Sequence, residues 1–147
     1  MSLTDELYKE TILDHYRSPR NRVRLRSPAT AAHGYNPVCG DEIEIALQLD
    51  GETVTDVGFA GKGCSISQAS ASMMTEAIKG QSLADVGSIV TAFKQMMLGS
   101  GPIDEEKLGD LEALQGVRKL PVRVKCATLA WNTLQEAIES YQKREAK

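Results

Sequence analysis

Long apolar runs are missing from this chain: nowhere in its 147 residues do 18 apolar residues follow one another, which argues against a membrane-spanning helix. The opening residues, Met1-Ser2-Leu3-Thr4-Asp5-Glu6, are charged almost at once, so no signal peptide is expected and a cytoplasmic location is. Aromatic residues are few, with 2 Phe, 1 Trp and 4 Tyr, and the formal net charge is −3. Nucleic acid is therefore a poor partner, because it calls for a basic surface and stacking side chains. Cysteine is scarce as well. Three cysteines cannot all pair within one chain, and without an export signal free thiols or metal ligands are favoured over disulfides.

What is present suits one globular domain: 41% of the residues are apolar and 25% charged, enough to bury a single core. Charge is clustered. Arg17, Arg20, Arg22, Arg24 and Arg26 form one basic arm, Arg118, Lys119, Arg123 and Lys125 a second, and Asp104, Glu105, Glu106, Asp110 and Glu112 an acidic stretch. Such runs are either solvated faces or docking surfaces for a protein of complementary charge. The first arm is the one expected to dock a partner.

The periodicity predicts a first helix over about 3–17, capped by Ser2 with Asp5 and ended by Ser18-Pro19. Glu42 to Leu49 alternates strictly, with Ile43, Ile45, Leu47 and Leu49 on one face, as a half-buried strand does. Asp50-Gly51 makes a hairpin turn into a returning strand, Thr53 to Phe59, whose alternation slips between Val54 and Val57 and predicts a bulge. A second helix carries Ile66, Ala69, Met73 and Ala77 and closes at Gly80; Ser82 with Asp85 caps a third, broken at Gly99-Ser100-Gly101-Pro102. Residues 103–117 read as one or two short acidic helical turns. The last helix is expected from near Cys126 to Lys143, with Trp131 and Tyr141 in its apolar stripe as core rather than site. The sum is an α+β domain, a small antiparallel sheet of about three strands covered by helices.

The cysteines fall at element ends on this scaffold: Cys39 in a loop shaped by Pro37 and Gly40, Cys64 opening the second helix, Cys126 opening the last. A helix N-terminus favours a thiolate, which would prepare Cys64 and Cys126 for metal or nucleophilic chemistry. With Asp41, the three thiols make a four-coordinate set for a soft metal. Since 24 residues separate Cys39 from Cys64 and 61 separate Cys64 from Cys126, any shared site must be assembled by the tertiary fold. Each cysteine alone could equally be a small buried apolar residue, and Asp41 a turn former.

Four motifs go further: Asp14-His15-Tyr16 with Pro19-Arg20-Asn21, then Asn36-Pro37-Val38-Cys39-Gly40-Asp41, then Gly63-Cys64-Ser65-Ile66-Ser67-Gln68-Ala69-Ser70, and Cys126-Ala127-Thr128-Leu129-Ala130. In this order they resemble the U-type iron–sulfur cluster assembly proteins, the NifU N-terminal and IscU-like family, over nearly the whole chain. Two features are similar to its SufU branch rather than the IscU scaffolds: Lys125 stands where the scaffolds carry a histidine, and an extra segment occupies roughly residues 99–118.

That resemblance implies a zinc ion on Cys39, Asp41, Cys64 and Cys126, and a role as sulfur acceptor for a pyridoxal-phosphate-dependent cysteine desulfurase. Cys39 would be the nucleophile, freed from the metal when a desulfurase histidine takes its place. The sulfur would pass to downstream iron–sulfur assembly proteins. Arg123 and Lys125 are expected to offset the charge of the site from just outside it, with Arg123 preferred; His15 and His33 are expected to stay off the metal. Two other functions remain open on the sequence: a scaffold for a transient [2Fe–2S] cluster or iron on the same residues, and a structural zinc adaptor.

Overall fold

The computed structural model describes residues 3–99 and 103–145, with the backbone alone for 3–9; the expected Ser2 cap, the Leu3 and Leu7 side chains and the break over 100–102 lie outside what is described. Helix α1 (Leu3–Arg17) is followed by strands β1 (Thr30–Asn36), β2 (Asp41–Asp50) and β3 (Thr53–Lys62). Then come α2 (Ser65–Ile78), α3 (Leu83–Leu98), α4 (Glu105–Leu108), a 3-10 helix (Gly109–Lys119) and α5 (Pro121–Glu145). The three strands form one antiparallel sheet in the order β1-β2-β3.

Alternation decides which face of β2 is covered. Ile43, Ile45 and Leu47 are buried and join Val54, Val57 and Phe59 of β3, with α2 and α5 over them, in a continuous core. The register shifts between Gln48 and Leu49, which pair with Asp56 and Val54. Thr55 is thus the extra residue of a bulge on β3, inside the stretch where the alternation slips. Trp131 stacks on Phe93 with ring centroids 4.2 Å apart and donates its indole N–H to Ser70 Oγ at 3.0 Å, so it is core. Tyr141 anchors α5 to the hairpin turn through its hydroxyl, 2.7 Å from the Gly51 carbonyl.

Two elements differ from the sequence expectation. Strand β1 has little intrinsic β signal, being Thr-Ala-Ala-His-Gly-Tyr-Asn; it forms because β2 offers it an edge and α5 covers it. A Cβ on Gly34 would lie 2.1 Å from Thr133 Oγ1 of α5, so only glycine permits this approach of strand to helix. Helix α5 starts at Pro121, well before Cys126. Proline at a first helical position loses no hydrogen bond and has its φ preset, and the helix winds back to it.

Helix α1 is tied to α2 by a buried polar knot. His15 is 3% exposed, and its Nδ1 lies 2.8 Å from Ser72 Oγ, which also accepts the Arg20 backbone N–H at 2.8 Å. Burial, then the Arg20 charge, lowers the His15 pKa from its ordinary 6.5. The folded chain therefore resists protonation while the unfolded chain takes up a proton, so stability is lost as pH falls from about 6.5 towards the lowered value. Thermal melts at pH 7 and pH 5 are expected to show a smaller acid-side drop for His15→Gln than for the native chain; equal drops would remove His15 from the pH response.

The first basic arm is largely occupied within the chain. Arg20 pairs with Asp14 at 2.7 Å, Arg24 with Glu44 at 3.1 Å, and Arg22 donates to the Gly61 carbonyl at 3.0 Å.

Candidate metal centre

Asn36 and Asp41 face each other across the β1–β2 hairpin, leaving Pro37-Val38-Cys39-Gly40 as its loop. Asn36 shapes that loop twice: its side-chain Oδ1 accepts the Val38 N–H at 3.1 Å, and its carbonyl accepts the Gly40 N–H at 2.8 Å. Gly40 has φ +71°, a left-handed angle that lets the chain turn back immediately after Cys39. The result is a half-buried thiol held on a tight loop, with Val38 beside it 67% exposed.

Across from this loop, Cys64 is the N-cap residue of α2, and Asp41 is 1% exposed at the start of β2. The Cys64 backbone N–H donates to Asp41 Oδ1 at 2.9 Å, and Cys64 Sγ lies 3.8 Å from Asp41 Oδ2. The aspartate thus caps the helix from a strand, and its second oxygen faces the Cys64 thiol. Cys126 Sγ lies 3.0 Å from Cys39 Sγ, and all three cysteines are free.

Cys39, Asp41 and Cys126 place one ligand atom each within 4.8 Å of one another. Cys64 stands beside this trio, next to Asp41. The expected four residues therefore gather at one end of the sheet, three in mutual reach and the fourth in contact through the carboxylate.

Cys126 arrives differently from expectation. It lies well inside α5 rather than at its N-terminus, and is fully buried, so the helix dipole does not prepare its thiolate. Its pKa is instead raised, by burial first and then by hydrogen bonds with Cys39 and Asp41. A cation in the trio is what would reverse this, since a coordinating thiol is deprotonated outright. The donor set fits zinc on chemical grounds: thiolate sulfur and carboxylate oxygen are zinc ligands, and Asp41 is a buried carboxylate with no Lys or Arg ion pair among the described residues.

Arg123 of α5, though exposed, interacts with the sulfurs of both Cys64 and Cys126, which raise its pKa above its ordinary value, the Cys64 charge first. Lys125 instead lines a shallow groove with Lys94, Met97, Leu98 and Pro121. His15 sits in its knot against Ser72, and His33 lies in β1 opposite Glu44.

A residue that sequence reasoning passed over is Gly63. A Cβ there would lie 2.5 Å from Asp41 Oδ1 and 2.4 Å from Ser67 Oγ, so any side chain must push the carboxylate aside. In the sequence Gly63 opens the third motif and closes the run Gly61-Lys62-Gly63, but neither says that it touches Asp41. Gly63→Ala is expected to weaken metal binding about 10- to 100-fold, the usual cost of disturbing a ligand's support, measured by competition with a chelator; unchanged affinity would show that the carboxylate adapts.

With this geometry in hand, comparison with known proteins gives the class. The sequence profile of the NifU-like N-terminal domain matches residues 7–127, and the chain belongs to that family. It is 48% identical over 134 residues to the zinc-dependent sulfurtransferase SufU of Bacillus subtilis (strain 168), covering 91% of this chain and 90% of that protein. It is 40% identical over 139 residues to the iron–sulfur cluster assembly scaffold protein IscU of Streptococcus pyogenes serotype M1, covering 95% and 87%. Among solved structures it is similar to a candidate iron–sulfur cluster assembly scaffold protein for the SUF system from Fervidobacterium islandicum AW-1. That match has a TM-score of 0.84 at 35% identity, over 90% of this chain and 96% of the other.

Proposed function

We propose that this protein is a zinc-dependent sulfur acceptor, which takes persulfide sulfur from a pyridoxal-phosphate-dependent cysteine desulfurase onto Cys39 and hands it on for iron–sulfur cluster assembly in the cytoplasm. The observation that carries this reading is the asymmetry of the trio. Asp41 and Cys126 are buried in β2 and α5, whereas Cys39 is half-buried on a four-residue loop. Cys39 is the member able to turn outward to a docked partner without disturbing the core.

Cys39, Asp41, Cys64 and Cys126 would hold the zinc, which when bound keeps thiols deprotonated near neutral pH without redox chemistry of its own. The transfer itself is thiol chemistry. The Cys39 thiolate attacks the terminal sulfur of the partner's persulfide, a bond forms between Cys39 Sγ and that sulfur, the partner's S–S bond breaks, and its cysteine leaves as thiolate. Arg123 stands where it can offset the excess negative charge of three sulfurs and a carboxylate. Lys125, on the groove beside them, adds only longer-range positive potential.

The test is metal analysis of the purified protein together with desulfurase activity on cysteine. Zinc with strong stimulation supports acceptor function; an iron chromophore without stimulation selects the [2Fe–2S] scaffold, the reading that the IscU relatives suggest. Arg123→Ala is expected to keep its zinc and lose about tenfold in stimulation, the weight of a charge-assisted contact. Equal stimulation in the variant would free Arg123 of any role.

A further inference from the structure

A cavity of about 470 Å³ opens between α1, α2, α3, α4 and the 3-10 helix, and none of Cys39, Asp41, Cys64 or Cys126 lines it. Its size falls within the range of small-molecule sites. We propose that this cavity binds an aliphatic amine cation, a polyamine or the lysine side chain of a docked protein, with the hydrocarbon against its inner wall and the ammonium groups on its carboxylates and His15. The extra segment, as α4 and the 3-10 helix, supplies one side of it.

Wall and rim differ in character. Met73, Ile89, Leu108 and Leu111 line the cavity and are each more than nine-tenths buried, whereas Glu76, Asp85, Glu106 and Asp110 stand exposed around them. Such a surface matches a cation that carries hydrocarbon, as the stem and head of a lysine do. The acids are largely unspent within the chain. Asp85, Glu106 and Asp110 have no ion pair among the described residues, Glu76 has contacts of 3.6 Å with His15 and 3.8 Å with Arg20, and Lys107 at the rim reaches Asp104 instead, at 3.9 Å. Nor do they converge. The metal-binding group in mutual reach among the described residues is Cys39, Asp41 and Cys126, so a spread-out organic cation fits these acids better than a metal ion, which needs its oxygens around one point.

A buried polar atom belongs to the same space. His15 is 3% exposed and lines the cavity; its Nδ1 is spent on Ser72 Oγ at 2.8 Å, but Nε2 has no partner within hydrogen-bond distance among the described residues, Glu76 Oε1 lying 3.6 Å away. Burial first, then the Arg20 charge, keeps the ring neutral at pH 7, so it does not repel a cation. With the ring proton on Nδ1 and given to Ser72, Nε2 accepts an ammonium N–H beside Glu76. A buried nitrogen left unbonded costs free energy, which such a ligand recovers.

The test titrates spermidine into the purified protein, with heat and the ring NMR signals of the two histidines as readouts. The expected result is saturable one-to-one binding that shifts the His15 ring and leaves His33, on β1, unmoved. Glu76→Gln and Asp110→Asn are each expected to lower the affinity about tenfold, the weight of a charge-assisted contact, while Glu139→Gln, on the exposed face of α5, leaves it unchanged. Asp110 is exposed and unpaired among the described residues, so its variant puts no part of the fold at risk. An absence of saturable binding at millimolar spermidine, native affinity in Asp110→Asn, equal shifts of both histidines, or the same His15 shift with magnesium chloride at matched ionic strength would overturn the proposal. A second arm repeats desulfurase stimulation with spermidine at saturation. Unchanged stimulation assigns the site to a free polyamine, a loss that added desulfurase overcomes assigns it to a lysine of that partner, and both uphold the site. Binding is read without the desulfurase, so failure of the acceptor reading would leave the amine site standing.

Discussion

Cys39→Ala is expected to abolish stimulation of the desulfurase, a loss on the order of 100-fold or more, the scale on which removal of a nucleophile acts. The fold should survive. Cys39 lies on a loop whose shape is set by Asn36 and Gly40 rather than by its own side chain, and it fills no part of the apolar core. Thermal melts of the metal-depleted forms should therefore differ little between variant and native chain, while the coupled assay separates them completely. Stimulation that persists in a folded Cys39→Ala protein would leave only a structural zinc adaptor.

Asp41→Ala is expected to have the second large effect, a fall in metal affinity of about 100-fold or more, since a ligand lost counts for at least as much as a ligand's support lost. Two functions go with the carboxylate. One oxygen caps α2 by accepting the Cys64 N–H at 2.9 Å, and removing a cap costs about 1 kcal/mol of stability. The carboxylate also offers an oxygen to the trio with Cys39 and Cys126. Asp41→Asn separates the two roles, because the amide oxygen can still cap the helix while the charge facing the metal is gone. The asparagine variant should thus melt near the native metal-free chain yet bind metal as poorly as the alanine variant; native metal content in either would remove Asp41 from the ligand set.

Much of this was legible before any coordinates. The alternation of Ile43, Ile45 and Leu47 marked the buried face of β2, and the slip between Val54 and Val57 marked the bulge, because both are local consequences of a period of two. Strand β1 was not legible. Its alanines, histidine and glycine carry no strand preference, and its state is imposed by β2 on one side and by α5 pressing on Gly34. Helix α5 begins at Pro121, ahead of the start expected near Cys126, because proline at a first helical position is an initiator.

The site divides along the same line. Cys39, Asp41, Cys64 and Cys126 could be named from their motifs, but what surrounds them depends on packing. The depth of Cys126 within α5, and hence a thiol whose ionisation is opposed rather than assisted, follows from where the helix begins. Gly63 matters because β2 carries Asp41 up against it, 23 positions from Cys64 in sequence. The link of Ser72 with His15, 57 positions apart, arises in the same way and leaves no periodic trace.

X-ray absorption at the zinc edge on the purified protein bears most directly on whether these residues form a metal centre. The account predicts bound zinc with about three sulfurs near 2.3 Å and one oxygen near 2.0–2.2 Å, the oxygen lost in Asp41→Ala and one sulfur lost in each cysteine variant. Zinc surrounded by nitrogen and oxygen alone, or a first shell unchanged by these substitutions, would contradict it.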